Sequence, residues 1–413
     1  HDQIVVGGVT TIQSAVQVEV LAGGSAGDYA HLSQYGILTS AGGIVGQFAG
    51  VTSDMAFLTP YLVYTTNAVR LDLVRNDIRF NRFALTANQL EVADAAEASG
   101  YGADVFDAVV VQNAAGAARA YDALDGQVHA DVFTSLAGGS SWLLGALTPR
   151  QRTDTDAAGG WGTVLTGRQT LQGEPGVADA ETETSGLVAG GDVLAGDVRL
   201  GAALSYSRDD LSVSDRDATA EISNVRLTAY AGKAFGPVRV TVAGVYGLST
   251  VETRRDVVFP GVAERLTGEY DARTTQVTAE ISTSFQMKLA TIEPFARATY
   301  LNVETDDMQE KGGSTALTVA GQSRDLSTLE LGVRLSGEMD LAGDASLRPR
   351  AGLSWRSNGG DLYGITEGAF QGAPNGFAVR GAGLDEGTLA VSFGADLVST
   401  DRLRFSLDFE GVY

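Results

Sequence analysis

The chain has 413 residues, no cysteine, 52 glycines, only 8 prolines and a formal net charge of −22. This composition excludes a disulfide framework and thiolate chemistry, and so acidic a chain is no general binder of nucleic-acid phosphates. No run approaches the ~20 apolar residues of a membrane-crossing helix, which leaves open a β-barrel, whose strands need only about 10 residues each.

Residues 1–85 read as short strands at 3–6, 15–20 and 68–74, punctuated by Gly23-Gly24 and Gly42-Gly43. The succession Tyr35-Gly36-Ile37-Leu38, then 43–48, then Phe57-Leu58-Thr59-Pro60 suits rungs of a β-helix followed by a cap. A small β-sandwich is the alternative, because too few rungs are present to fix a repeat period.

From Thr86 the texture becomes alanine-rich and acidic, with Glu91, Asp94, Glu97, Asp104, Asp107, Asp122, Asp125 and Asp131 against Arg119. Leu90, Val92, Ala95 and Ala96 recur at helical spacing, and alanine is the best helix former. The pattern predicts a continuous helix over 122–147, with Leu124, Val128, Val132, Leu136, Leu143 and Leu147 on one side and Thr148-Pro149 as its stop. Gly138-Gly139 inside it costs about 1 kcal/mol per glycine against alanine. A helix that keeps such a pair is expected to be closely packed there, as inside a narrow channel.

Beyond 160 the sequence is a ladder. Strand candidates fall at 161–171, 186–194, 197–207, 220–234, 238–251, 274–287, 292–303, 328–340, 346–356, 388–398 and 402–413. Tight connections alternate with long, mostly acidic ones at 172–185, 208–219, 252–273, 304–327 and 357–387. Short turns on one rim and long loops on the other are the habit of outer-membrane barrels. Eleven strands fall short of the even number such barrels show, so a twelfth is expected either within 377–384 or, preferably, after Tyr413.

The faces decide between a sandwich and a membrane barrel. Thr275, Val277, Ala279, Ile281, Thr283 and Phe285 alternate with Gln276, Thr278, Glu280, Ser282, Ser284 and Gln286, and the other strands repeat this division. Charges share one face: Arg199, Arg226, Arg239, Glu280, Arg297, Glu330, Arg334, Arg348, Arg350, Arg356, Asp396 and Arg404. A dry core could not hold so many without costly desolvation. They are expected to line a wet lumen while the apolar faces meet lipid, with Tyr206, Tyr246, Tyr300 and Trp355 placed for an aromatic girdle. The expected fold is therefore mainly β, a transmembrane barrel of the 12-stranded type.

Several short motifs resemble, in order and spacing, those of the monomeric autotransporters of type V secretion. Thr86-Ala87-Asn88-Gln89 with Val92-Ala93 is similar to the start of that family's linker. The segment Ala123-Leu124-Asp125-Gly126-Gln127-Val128-His129-Ala130 is similar to its "A-L-S-G-E-V-H-A" stretch, with Asp and Gln replacing Ser and Glu. Gly160-Trp161-Gly162 resembles its first-strand opening, 35–51 the end of a β-helical passenger, and 403–413 its penultimate strand; a closing strand ending in Phe is the departure.

The resemblance implies passenger rungs over 1–85, a linker over 86–150 whose last part, about 117–149, threads the lumen, and a barrel over 151–413. It places Asp122, Asp125, Val128, His129, Asp131, Val132 and Leu136 on the pore helix, where the acidic residues would face an Arg-lined lumen. It further implies an outer-membrane location in a Gram-negative bacterium, contact with lipid and lipopolysaccharide, help from the barrel-assembly machinery, and export of an N-terminal passenger such as an adhesin. The target of that passenger is unknown. A passive porin is the alternative, against which the pore helix argues; an anchor for a surface enzyme whose catalytic part lies upstream is another.

No catalytic role is expected. His1, His31 and His129 fit no zinc-binding spacing, and neither a G-x-S-x-G elbow nor a P-loop occurs. No cofactor or metal is expected, since Asp209-Asp210 and Asp306-Asp307 read as solvated loop tips rather than calcium ligands. In the linker helices only Asn113 follows Asn88, and Ala114 comes after it, so release by cyclisation at an Asn-Asn pair is not expected.

Overall fold

The computed structural model describes residues 3–21, 32–151, 159–288, 290–341, 346–400 and 403–413. The chain opens with β1 (Ile4–Val6), β2 (Thr10–Thr11), β3 (Gln17–Val20), β4 (Leu32–Ser40), β5 (Ile44–Val45) and β6 (Gly50–Ser53). These pair in parallel as β1 with β4, β2 with β5 and β3 with β6, bringing Ile4 beside Leu38, Thr10 beside Ile44 and Gln17 beside Gly50. Two turns of a solenoid are thus stacked, offset by 33 to 34 residues. The corner at Gly46 admits no other residue: its φ is +87°, and a Cβ there would lie 2.3 Å from the Ile12 carbonyl oxygen. Then β7 (Leu58–Tyr64) and β8 (Ala68–Arg75) fold back antiparallel on β4 and end the stack.

Four α-helices follow: α1 (Ala87–Ser99), α2 (Asp104–Val110), α3 (Ala114–Leu124) and α4 (Gln127–Gln151). The Thr86 hydroxyl accepts from the Gln89 N–H, and Asn113 caps α3 in the same way through the Gly116 N–H. The single helix expected over 122–147 is instead broken at Asp125-Gly126. Gly126 takes φ +69°, and the Asp125 carboxylate accepts the Gln127 N–H to start α4 afresh. At its other end α4 runs past Thr148-Pro149 to Gln151. Pro149 gives up its bond to the carbonyl four residues back and crowds that carbonyl, so this last turn forms at a cost of about 3 kcal/mol.

The remainder is an antiparallel meander. Its strands are β9 (Gly159–Leu171), β10 (Ala180–Ala195), β11 (Val198–Val213), β12 (Ala218–Phe235), β13 (Val238–Phe259), β14 (Val262–Thr283) with the short β15 (Phe285–Gln286), and β16 (Thr291–Thr305). Between β16 and the next long strand come β17 (Met308–Gln309) and β18 (Leu317–Val319), followed by β19 (Gln322–Ser336), the short β20 (Met339–Asp340) and β21 (Ser346–Gly360). After β22 (Ile365–Phe370) and β23 (Phe377–Arg380), β24 (Gly387–Thr400) and β25 (Leu403–Val412) complete it.

All eleven expected strands are present and pair in chain order from β9 to β25. Two expected loops are not loops: 208–219 and 252–273 zip up as continuations of the strands, leaving four residues between β11 and β12 and only Pro260-Gly261 between β13 and β14. Alternation of buried Leu211, Val251, Val257 and Leu266 with exposed charges carries the β pattern beyond the girdle. At about 3.3 Å per residue the 22-residue β13 and β14 are roughly 70 Å long, more than twice the ~30 Å hydrocarbon core. The segment 377–384 supplies no spanning strand; β23 belongs to a separate small sheet of β17, β18, β22 and β23 on the long-loop side. No described helix is long and apolar enough to cross a membrane.

Candidate translocation lumen

The long strands present two unlike faces. On β11, Leu200, Leu204 and Tyr206 point outward and are about half exposed, while Arg199, Ser205 and Ser207 point inward and are buried. On β14 the outward residues are Val277, Ala279 and Ile281, and the inward ones Gln276, Thr278 and Glu280. Tyr206, Tyr246, Tyr300 and Trp355 all stand on the outer face, at 47–54% exposure. Just beyond Tyr206 the outer positions become Arg208 and Asp210, so the lipid-compatible band ends there. An apolar exterior around a charged interior is the inverse of a soluble protein.

Inward, one wall carries a connected ion network. Glu280 accepts from Arg297 and Arg334, Arg334 also reaches Glu293, and Arg297 reaches Glu330. Arg356 bridges Glu330 and Glu410, and the Ser354 hydroxyl donates to Glu330 at 2.6 Å. Arg350 joins Asp396 to Asp408, and Arg348 pairs with Glu338. Toward the β9 end of the sheet, Arg199 pairs with Asp192, whose second oxygen accepts from the Tyr230 hydroxyl; Tyr230 in turn accepts from the Trp161 indole N–H. Arg226 is buried and donates to Ser207, and Arg239 is half-buried on the same inner face. The side chain of Arg404 lies outside the described residues.

Helix α4 runs inside this sheet, against the β9–β13 wall. Leu143, Leu144 and Leu147 form an apolar cluster with Val188, Ala203, Tyr230, Ala243 and Val245. The Gly138-Gly139 pair sits in close contact with this wall. A Cβ at Gly138 would be 2.1 Å from the Gln169 side-chain oxygen, and one at Gly139 would be 3.1 Å from an Arg226 nitrogen and 3.2 Å from an Asp209 oxygen. Trp142 occupies the space that Gly167 on β9 leaves empty. Val128, Val132 and Leu136 are fully buried, in the core shared with the helices above.

The acidic residues do not face a row of lumen arginines as expected. Asp122 and Asp125, at the helix break, both bind Arg216 from the β11–β12 turn. Among the described residues Asp131 meets no arginine; it accepts the Ala382 N–H at 2.6 Å and a Gln127 N–H at 3.0 Å, which fixes α4 to the segment between β23 and β24. Burial, only partly offset by those two hydrogen bonds, pushes its carboxyl up to about 7. His129 Nε2 lies 2.9 Å from Glu310, which also binds Arg255 through two bonds of 2.7 Å and accepts the Leu317 N–H. Burial works to raise the Glu310 carboxyl, but Arg255 and His129 outweigh it and hold it well below the usual carboxylate range. These contacts lie above the aromatic band, among the long connections.

Arg216, Arg255 and Glu310 escaped the sequence reading because they lie in stretches taken for solvated loops. The parity of Arg255 with Val251 and Val257 was the available signal. Asp209, read as a loop tip, is fully buried in β11, where Thr184 and Asn224 donate to it. Among the described residues no group of three or more His, Cys, Asp or Glu side chains is placed to hold a metal ion.

An apolar-outside, charged-inside sheet with a helix through it defines an outer-membrane translocator domain. Residues 160–410 match the autotransporter β-domain, and the chain belongs to the autotransporter family, whose translocators reside in the outer membrane of Gram-negative bacteria. Two extracellular serine proteases of Serratia marcescens are each 26% identical over 92% of this chain, which spans 41% of their length. The translocator domain of the autotransporter NalP from Neisseria meningitidis is 17% identical, with a TM-score of 0.55, and the match covers 70% of this chain and 94% of that one. It shares the fold.

Proposed function

We propose that this chain exports a passenger fused ahead of its solenoid rungs and afterwards holds those rungs at the cell surface, with α4 left in the lumen as the trailing end of the exported polypeptide. The carrying observation is continuity: one backbone runs from stacked rungs beyond the long-loop rim, through α4 inside the sheet, to β9. The charged inner face of β14–β24 suits a wet lumen through which a chain could pass better than a dry core, where so many charges would be costly. Assembly by the barrel-assembly machinery and contact with lipopolysaccharide belong to the same reading. The reading assigns the chain no catalysis of its own, and peptide or ester hydrolysis by the purified chain would contradict that.

An epitope inserted at Gly7-Gly8, where neither glycine has a neighbour within 4 Å of a Cβ, tests the topology. Antibody should stain intact cells as strongly as lysed ones. Staining that appears only after lysis would reject surface display.

A further inference from the structure

We propose that α1–α3, packed in one core with the first turns of the pore helix, form an outer seal over the extracellular mouth, making the solenoid and the barrel one rigid body. The inference stands on packing and holds whatever the passenger is. A single apolar core contains Leu71 and Leu73 of the solenoid's last strand, Phe80, Val92, Phe106 and Tyr121 of the helical module, and inward side chains of the strand tips, among them Val257 and Leu266. A tethered, freely swinging linker would leave these surfaces wet, whereas Tyr121 and Leu266 have no exposure at all.

Polar clasps tie the same module to four of the five connections on the long-loop rim. The Asn88 amide donates to the Gly176 and Arg380 carbonyls and accepts the Arg380 N–H, tying α1 to two different connections. Arg216 from the β11–β12 turn holds Asp122 and Asp125 at the end of α3. Arg255 on β13 donates to the Ala123 carbonyl, and Gln112 donates to the Pro260 carbonyl at the β13–β14 turn. The Ala56 N–H donates to the Gln112 carbonyl, bringing in the solenoid. Buried polar contacts of this kind are made only when the module is seated, so they select one docked position.

The absence of cysteine from the chain makes a clean test. Ser135 lies on α4 below the module and is 1% exposed. In intact cells carrying Ser135→Cys, a membrane-impermeant sulfonated maleimide should label this position about 100-fold more slowly than an exposed one such as Gly7→Cys, as expected for a site reached only by local opening. Adding Asn88→Ala with Arg216→Ala should accelerate labelling about 10-fold or more, since together they remove five of the bonds that seat the module. Should those prove too mild, Tyr121→Ala empties the middle of the module. Retention of heat-modifiable migration on gels confirms in each case that the barrel is folded. Rapid labelling of Ser135→Cys in the otherwise unaltered chain would overturn the proposal. So would protection that persists in Tyr121→Ala once added protease shows α1 released.

Discussion

Arg255 on β13 and Glu310, between β17 and β18, meet side by side 55 residues apart in sequence, through two bonds of 2.7 Å, and neither is more than 3% exposed at its side chain. Breaking such a pair from one side leaves a buried charge without compensation, a cost of about 3–5 kcal/mol. Glu310→Leu is therefore expected to loosen the small sheet of β17, β18, β22 and β23 sharply, read as tryptic cleavage of that connection at a lower temperature. The double variant Arg255→Met, Glu310→Leu should lose less than the single one. Equal losses in the two would mean that the pair is not what holds this corner.

A second expectation concerns the seat of α4 in the wall. A Cβ at Gly167 would come within 2.7–2.8 Å of three atoms of the Trp142 ring, and a rigid ring on a packed helix cannot swing aside as an amide can. Gly167→Ala should cost about 1–3 kcal/mol of thermal stability. Combining it with Trp142→Leu should recover part of that loss, giving a favourable coupling between the two positions in a double-mutant cycle. Strict additivity would show that the helix lies elsewhere.

The third follows from Asp131, whose carboxyl in the folded chain is raised to about 7 from an ordinary value of 3.8. A raised value means the protonated form is favoured by folding. Its contribution is complete below the ordinary value and is lost as pH rises through about 7. Amides in the first turns of α4 and at Ala382 should therefore exchange faster at roughly pH 8 than at pH 6, after correction for intrinsic rates. Asp131→Asn should flatten that dependence. An unchanged slope in Asp131→Asn would assign the pH response to another group.

The spanning part of the fold was legible because period-two alternation survives whichever face is buried; only the sense of the faces had to be inverted, as Glu280 inside and Ile281 outside illustrate. Length was harder to read. Val257 and Leu266 extend the alternation past the girdle, but Arg254, Arg255, Glu264 and Arg265 around them look like a solvated loop until their partners are known. The break in the pore helix had a local sign in Asp125-Gly126, overruled by the strong helical spacing on either side. Residues such as Glu310 and Arg216 were beyond reach: each works through a partner 55 or more positions away, and spacing along the chain carries no trace of it.

The offset between stacked rungs also sets an exchange rate between chain length and reach. Strands in neighbouring rungs stand about 4.8 Å apart, so 34 residues advance the solenoid by that distance. Each residue therefore adds roughly 0.14 Å of height, about a tenth of what it would add in a helix. A rise of ~100 Å at that rate would take about 20 rungs, or roughly 700 residues. A passenger built on this pattern trades length for a stiff, broad column, so an insertion of one rung would shift whatever sits at its tip by only about 4.8 Å.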